Sequence, residues 1–185
     1  MPNERSILFL VASTREPGQQ GNTEWLARRA AEALPAGCAT QWLHLAQLTM
    51  PVLVDRRHTT GEYPVPEGDL GALLDATMAA SDIVFVAPVY WYSLPSTLKI
   101  YLDHWTAWMR TPGVPFKVEM AKKALWLITT SGDREKAQPM IDSVRMCCEF
   151  LGMRWGGELW GKGGPPGAVQ GDQVALERCP TFLGH

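Results

Sequence analysis

The chain has 185 residues, of which 46% are hydrophobic, and a net charge of −2 at pH 7. This length and composition predict one globular domain over residues 1–185, and so small a charge gives no reason to expect nucleic acid or an anionic membrane as a partner. No apolar run approaches the roughly 20 residues of a membrane-spanning helix, and the first apolar run is too short for a signal peptide, so we expect a cytoplasmic protein.

The chain starts with a strand, a polar loop and a helix. Residues 6–12 form a continuous apolar run, which is typical of a central parallel strand. The next helix begins near Asn22 or Thr23 and ends before Pro35. The loop between them would offer backbone N–H groups and the positive end of a helix to an anion. Polar side chains of the loop would add donors: Ser13, Thr14, Arg15, Asn22 and Thr23. An ordinary capped loop explains these residues equally well.

The motifs that this first loop lacks narrow the choice of anion. It has neither G-x-x-x-x-G-K-[ST] nor G-x-G-x-x-G, which disfavours a nucleoside triphosphatase and a Rossmann dinucleotide site. It also has no cysteine, which excludes a phosphatase with a cysteine nucleophile. A monophosphate that is held without being cleaved remains.

Residues 40–80 connect the first unit to the centre of the sheet. Residues 40–46 alternate between polar and apolar, which predicts a more exposed second strand. The connection 48–68 is long for a compact domain, and such connections are often lids or binding loops. Within it, Arg56 and Arg57 could contact a pyrophosphate or simply be solvated. A helix over 69–80 then leads to the third strand.

The most informative stretch follows this third strand, residues 82–86. A loop with three consecutive aromatic residues, 90–92, separates the strand from an apolar helix over 96–110. We expect Pro95 at the start of this helix and Ser93 as its cap. Ligands of open α/β sheets bind at the carboxyl ends of strands, where such a loop could cover a flat conjugated ring. Packing of the aromatic residues on the top of the core is the alternative.

The last third of the chain continues the alternation of strands and helices. Residues 123–129 predict a fourth strand, and the polar loop 130–133 follows it. We expect the next helix to start at Pro139 and to end at Gly152. Four cysteines without C-x-x-C spacing (Cys38, Cys147, Cys148 and Cys179) predict neither a metal site nor an iron–sulfur cluster.

The fifth strand, 153–160, precedes a glycine-rich segment. Residues 161–167 fail as a Rossmann fingerprint, because Pro166 stands where the third glycine must be. A final helix is expected over 170–183, with Pro180 breaking it early.

Five strand–helix units predict an α/β fold, a doubly wound five-stranded parallel sheet in the order 2-1-3-4-5. The switch point lies between strands one and three, so the first loop and the aromatic loop become neighbours. A monophosphate on one side and a conjugated ring on the other are the two ends of FMN.

Three blocks of residues carry a resemblance to a known family. They are Ser13-x-Arg15 with Gly21-Asn22-Thr23, then Ala87-Pro88-Val89-Tyr90-Trp91 with Leu98-Lys99 and Leu102-Asp103, and Thr130-Ser131-Gly132. Over roughly residues 5–170 the chain resembles the flavodoxin-like NAD(P)H-dependent FMN reductases, which include quinone, azo, chromate and nitro-compound reductases.

The resemblance implies FMN as cofactor, NADH or NADPH as co-substrate and a small-molecule electron acceptor such as a quinone. It also implies the cofactor-binding residues: Ser13, Arg15, Gly21, Asn22 and Thr23 at the phosphate, Pro88, Val89, Tyr90 and Trp91 at the ring and ribityl chain, and Thr130, Ser131 and Gly132 at the pyrimidine end. No side chain needs to act as a catalyst, because the flavin N5 carries the chemistry. We expect ping-pong kinetics, since one crevice serves both substrates.

Three departures from the family pattern stand out. The first loop is about three residues longer than the compact form. His104 occupies the position where an arginine commonly follows the aspartate, and residues 48–68 lack the cysteines of the iron–sulfur branch.

Two other classes of function remain open at this point. A flavodoxin-type electron carrier would use the same fold and FMN, although such carriers usually have a strongly acidic surface. A docking module without a cofactor is the other. We also predict a homodimer through Trp108 and Trp105, since their apolar stripe extends beyond what one sheet face covers. In the alternative, these tryptophans cap the core of a monomer.

Overall fold

The computed structural model describes residues 5–16 and 18–184. Five parallel strands form one sheet in the order β2-β1-β3-β4-β5, which confirms the predicted doubly wound fold. The strands are β1 (Ser6–Val11), β2 (Ala39–His44), β3 (Asp82–Val86), β4 (Ala124–Ser131) and β5 (Arg154–Lys162). The α-helices are α1 (Asn22–Ala31), α2 (Gly68–Ala79), α3 (Ser96–Trp108), α4 (Phe116–Met120), α5 (Arg134–Phe150) and α6 (Gln173–Phe182).

The alternation of side chains along the strands divides the core into two layers. Leu8 and Leu10 of β1 pack with residues of α2, α3, α4 and α5 on one face of the sheet. Phe9 and Val11 pack with residues of α1 and α6 on the other face. The three central strands are buried on both faces, whereas β2 and β5 form the edges and are more exposed. No helix in the described ranges is long and apolar enough to cross a membrane.

Two helices differ from the prediction at their prolines. α5 begins at Arg134, so the predicted start at Pro139 is wrong. Asp133 has extended dihedrals and serves as the N-cap residue, which places Pro139 in the second turn. There the proline removes only the hydrogen bond to the carbonyl of residue 135. α6 continues through Pro180 to Phe182, so the early break predicted there is also wrong.

The predicted interface through two tryptophans is wrong, because both are buried within the chain. Trp108 is 1% exposed and Trp105 is 5% exposed. The ring of Phe116 lies 5.4 Å from that of Trp108 and 5.9 Å from that of Trp105, measured between centroids. The short helix α4, which the sequence did not predict, thus covers the apolar stripe of α3 and completes the core of one chain.

The long connection between β2 and α2 packs along α3. The Nε2 of His104, the residue at the position of the family arginine, lies 2.7 Å from the carbonyl oxygen of Pro51 and ties the connection to α3. Tyr63, a residue of the connection, is itself buried. Arg57 is ion-paired with Asp55 at 2.7 Å. This connection therefore packs against α3 on the side of His104.

Backbone hydrogen bonds extend the sheet past the strand ends. The amide of Ala12 donates to Val86 O at 2.9 Å, and the amide of Ala87 donates to Ile128 O at 3.0 Å. The amide of Gly163 donates to Ser131 O at 2.8 Å. The loops that follow β1, β3, β4 and β5 are therefore held side by side at one edge of the sheet.

Candidate functional site

These loops enclose a cavity of about 140 Å³ at the carboxyl ends of the strands. Its lining contains nine of the twelve predicted cofactor-binding residues: Ser13, Arg15, Gly21, Asn22, Thr23, Pro88, Tyr90, Thr130 and Ser131. The other three predicted residues, Val89, Trp91 and Gly132, lie next to lining residues in the chain but do not line the cavity. The fold therefore brings the first loop, the aromatic loop and the loop after β4 together, as the switch point requires.

The N-terminus of α1 forms one wall of this cavity. Gly21 is the N-cap residue, and no side chain in the described part of the protein caps the helix. The first helical hydrogen bond runs from the amide of Trp25 to Gly21 O, at 3.0 Å. The amides of Asn22, Thr23 and Glu24 therefore have no partner within the helix. Together with the positive end of the helix dipole, they make this wall suited to a phosphate.

Arg15 lies against this helix end because residue 21 is a glycine. A Cβ atom at position 21 would be 3.0 Å from Arg15 Nε and 3.3 Å from Arg15 Cδ, so any larger residue would displace the guanidinium. Ser13 supports the same turn, since its hydroxyl accepts the Arg15 amide at 3.4 Å. Although the first loop is long, it brings a cation and a helix N-terminus together in the wall of one cavity.

Two buried threonines link opposite walls of the cavity. The hydroxyl oxygens of Thr23 and Thr130 lie 2.6 Å apart, and these residues are only 3% and 7% exposed. One of the two hydroxyls donates to the other, which leaves one hydroxyl hydrogen for a ligand. The hydroxyl of Ser131 is already committed, because it donates to Asp133 O at 2.6 Å and accepts from Trp160 Nε1 at 2.8 Å.

The side chain of Asn22 holds the loop that follows β5. Its amide nitrogen donates to Gly164 O at 3.2 Å and to Pro165 O at 3.0 Å, and its oxygen accepts the Val169 amide at 3.5 Å. All three partners belong to residues 164–169. The side chain of Asn22 is thus used to position a wall of the cavity, and its backbone amide is the donor that remains for a ligand.

Three lining residues were not among those predicted: Glu24, Gly163 and Gly164. The glycines follow β5, and the carboxyl ends of all strands in a parallel sheet lie at the same edge. That rule identifies both glycines as candidates for the site, although their segment fails as a Rossmann fingerprint. Glu24 accepts from Arg28 Nε and Nη2 at 3.0 and 2.7 Å. The spacing of four residues on one helix face was the available signal.

The aromatic loop forms a tight turn that projects from the protein. Tyr90 and Ser93 exchange backbone hydrogen bonds of 3.0 and 2.9 Å, so the prediction that Ser93 caps α3 is wrong. Between them, Trp91 and Tyr92 have positive φ angles of 50° and 62°. Trp91 is 94% exposed, so it does not pack on the top of the core. Left-handed backbone conformations cost bulky residues energy and concentrate at functional sites.

These residues fit a phosphate ester such as that of FMN. Unpartnered helix amides, the guanidinium of Arg15 and the hydroxyls of Ser13 and Thr23 are phosphate donors. Gly163 keeps the space open, since a Cβ atom there would be 3.1 Å from Thr130 Cβ. Tyr90 leads from this cradle to the exposed aromatic turn, where a ring system could lie.

Comparisons with known proteins agree with this geometry. A family model described as NADPH-dependent FMN reductase matches residues 5–160. Among curated proteins, the NAD(P)H-dependent FMN-containing oxidoreductase YwqN of Bacillus subtilis (strain 168) is 28% identical over 166 residues. The alignment covers 88% of this chain and 90% of that protein.

Solved structures share the fold along almost the whole chain. The Trp repressor binding protein from Bacillus subtilis superposes with a TM-score of 0.72 at 24% identity, covering 96% of this chain and 97% of that one. The NAD(P)H:quinone oxidoreductase from Methanothermobacter marburgensis superposes with a TM-score of 0.68 at 18% identity, covering 96% and 92%. At these identities the superpositions establish the common fold.

Proposed function

The chain belongs to the NADPH-dependent FMN reductase family, and we propose from that premise that it passes electrons from NADH or NADPH to a small-molecule acceptor such as a quinone. It is an oxidoreductase with FMN as its cofactor. A quinone acceptor is supported by the fold shared with a quinone oxidoreductase. Membership of this family disfavours a flavodoxin-type electron carrier, because the family consists of enzymes that use a nicotinamide as electron donor.

The observation that carries this proposal is the cradle at the N-terminus of α1. The amides of residues 22–24, with Arg15 and the hydroxyl of Ser13, would hold the FMN phosphate. Thr23 and Thr130 would supply one further hydroxyl donor. Asn22 contributes its backbone amide, while its side chain keeps Gly164 and Pro165 in place.

The remaining predicted residues would hold the ring and the ribityl chain. We assign Pro88, Val89, Tyr90 and Trp91 to one side of the crevice. Backbone groups of residues 130–132 lie at the other side, and the tied hydroxyl of Ser131 fixes the shape of that loop. When bound, FMN supplies the redox centre that takes up hydride from a nicotinamide. The backbone amides of this loop would stabilise negative charge at the polar edge of the ring.

The order of reaction follows from the single crevice. The nicotinamide and the acceptor must occupy the same space in turn, so we propose ping-pong turnover. A homodimer and a cytoplasmic location remain predictions. The residues first expected in the dimer contact are buried, so a different surface must form any interface.

Spectroscopy and steady-state kinetics test the proposal. We expect the purified protein to bind FMN, to lose the flavin absorbance under anaerobic NADH or NADPH, and to regain it with a quinone. Initial rates should give parallel double-reciprocal lines. Intersecting lines would refute the ping-pong order. Bound FMN that neither nicotinamide reduces would refute the reductase activity itself.

A further inference from the structure

A second cavity adjoins the phosphate cradle. It has a volume of about 490 Å³ and lies between the first loop, α1 and the segment that follows β2. Ser13, Arg15 and Glu24 line both this cavity and the cradle. A group bonded to the phosphate of the flavin would therefore enter it directly. Its volume is within the range of nucleotide and drug-sized sites. We propose that this cavity takes the adenylate half of FAD, so that the site accepts FAD as well as FMN.

The lining of the cavity has the chemistry of an adenylate site. Arg15 stands at its junction with the cradle, where the five donors of a guanidinium can bridge the two phosphates of a dinucleotide. Side chains with both donors and acceptors follow, as an adenine edge requires: Gln19, Gln20 and Gln47. Of the two carboxylates in the lining, Glu24 is ion-paired with Arg28 at 2.7 Å, which offsets its repulsion of a second phosphate.

Glu24 and His44 fit the ribose of such a group. The carboxylate of Glu24, which is 7% exposed, lies 3.6 Å from His44 Nε2 at the carboxyl end of β2. Acidic side chains at this place in a β-α-β unit hold ribose hydroxyls in dinucleotide folds, because a carboxylate accepts hydrogen bonds from a diol. Here the carboxylate comes from α1, four residues before the arginine that orients it.

The long first loop builds this cavity. Glu16, Gly18, Gln19 and Gln20 all line it, and none of the four lines the phosphate cradle. Gly18 has a φ of 84°, which a glycine adopts without strain and which turns the loop around the space. The additional residues of this loop, compared with its compact form, therefore form a wall of a second cavity.

The adenylate of a nicotinamide is the competing occupant. The nicotinamide ring must stack where the flavin ring lies, on the side of Tyr90 and Trp91, whereas this cavity begins at the opposite, phosphate end. A group attached to the flavin phosphate is the shorter connection. The proposal rests on the proposed function, since it requires the phosphate cradle to hold a flavin.

Titration of the flavin-free protein with FMN and with FAD tests the proposal, followed through flavin fluorescence. We expect the two dissociation constants to agree within about tenfold. Ala46→Trp should fill the cavity from its exposed rim, raise the FAD dissociation constant by about tenfold or more and leave that of FMN unchanged. Gln47→Trp blocks the same cavity from the next residue. Ala72→Trp is the matched control, because Ala72 is exposed on α2 and does not line the cavity.

The outcomes separate this proposal from the proposed function. FMN binding without FAD binding would overturn the FAD site alone, as would FAD binding that neither tryptophan variant weakens. A raised KM for NADH or NADPH in the FMN-loaded Ala46→Trp enzyme would assign the cavity to the nicotinamide and overturn the proposal. If the wild-type protein binds neither flavin, the proposed function fails and the FAD site falls with it.

Discussion

The hydroxyl oxygens of Thr23 and Thr130 lie 2.6 Å apart, although 107 residues separate them in the chain. This contact joins the first turn of α1 to the carboxyl end of β4. Both residues are buried, so the contact is shielded from water. The phosphate wall and the ring wall of the crevice are therefore held at a fixed separation before any ligand binds, which is how a preorganised site lowers the entropic cost of binding.

Replacement of Thr130 by valine should weaken FMN binding. The substitution preserves the shape of the side chain but removes the hydroxyl that bonds to Thr23. The Thr23 hydroxyl can still donate to the phosphate, but the two walls are no longer tied together. A neutral hydrogen bond contributes about 0.5–1.5 kcal/mol, so we expect the FMN dissociation constant to rise about twofold to tenfold. Fluorescence titration of the flavin-free protein measures it.

The adjacent residue provides the control for this experiment. Thr129 is fully buried, and its hydroxyl makes no hydrogen bond to any group in the described part of the chain. Thr129→Val should leave FMN affinity unchanged and should raise the free energy of unfolding by about 1 kcal/mol, since a buried polar group without a partner is removed. Equal losses of FMN affinity in both valine variants would contradict the role given to Thr130.

Asn22→Ala should affect both stability and cofactor binding. The side chain holds the carbonyls of Gly164 and Pro165, so its loss releases the loop after β5. We expect the free energy of unfolding of the flavin-free protein to fall by about 1–3 kcal/mol and FMN affinity to fall with it. Gln20→Ala is the control, because Gln20 is exposed and does not line the phosphate cradle. Weakened FMN binding at unchanged stability would mean that Asn22 acts on the phosphate directly.

The strand order could be predicted because the central strands are continuous apolar runs. Residues 7–11 and 82–86 are buried on both faces, as such runs require in a parallel sheet. The helix ends were harder to place, since proline is tolerated in the second turn of α5 and near the end of α6. α4 has only five residues, too few for a helical period to emerge. Because α4 was not predicted, the packing of its Phe116 against Trp108 was not predicted either.

The sequence was sufficient to predict which loops form the site, but not the role of each side chain in it. Asn22 bonds to residues more than 140 positions away, and no local pattern reveals such a partner. The positive φ angles of Trp91 and Tyr92 were equally hidden, because such angles are associated with glycine and asparagine. Family motifs place residues at a site without specifying whether the side chain or the backbone contacts the ligand.

Gly163→Ala should disturb the crevice, whereas Gly164→Ala should not. A Cβ atom at position 163 would lie 3.1 Å from Thr130 Cβ and 3.3 Å from its hydroxyl oxygen. At position 164 the nearest atom is Ala168 Cβ, at an ordinary 3.7 Å. Since overpacking costs about 1–3 kcal/mol, we expect Gly163→Ala alone to lower the unfolding temperature and FMN affinity. Similar behaviour of both variants would show that the contact with Thr130 is not what keeps position 163 a glycine.

Acid should remove the stabilising contribution of Asp82. Burial raises the pKa of this carboxyl group, but hydrogen bonds from Arg5, Trp126 and Ser81 outweigh burial and hold the pKa below its ordinary value. A depressed folded-state pKa stabilises the protein above the unfolded-state pKa of about 3.9, and this stabilisation is lost as the pH falls through the folded-state value.

Urea unfolding of Asp82→Asn at a series of pH values measures this effect. The variant should be less stable than the wild type at pH 7, and the difference should shrink as the pH falls below about 4. Asp75→Asn, at an exposed position of α2, is the control and should follow the wild type throughout. A difference between wild type and Asp82→Asn that does not depend on pH would contradict the lowered pKa.

The aromatic turn formed by Trp91 and Tyr92 should lower the stability of the protein and support its activity. Trp91 and Tyr92 occupy the two central positions of a two-residue turn with positive φ angles, for which Asn-Gly is the preferred pair. Since a left-handed conformation costs ordinary residues about 1–2 kcal/mol each, the double variant Trp91→Asn, Tyr92→Gly should raise the free energy of unfolding by about 1–2 kcal/mol. Little burial is lost, because Trp91 is 94% exposed.

The same double variant should lose turnover with quinones, since the proposed function places the turn at the ring end of the crevice. Trp91→Phe is the control: it retains an aromatic ring and the strained backbone, so it should keep both the wild-type stability and most of the activity. Thermal unfolding and initial rates with NADH or NADPH measure the two effects. A stabilised double variant with full turnover would mean that the strain has no catalytic use, and an active variant without the gain in stability would mean that the turn is not strained.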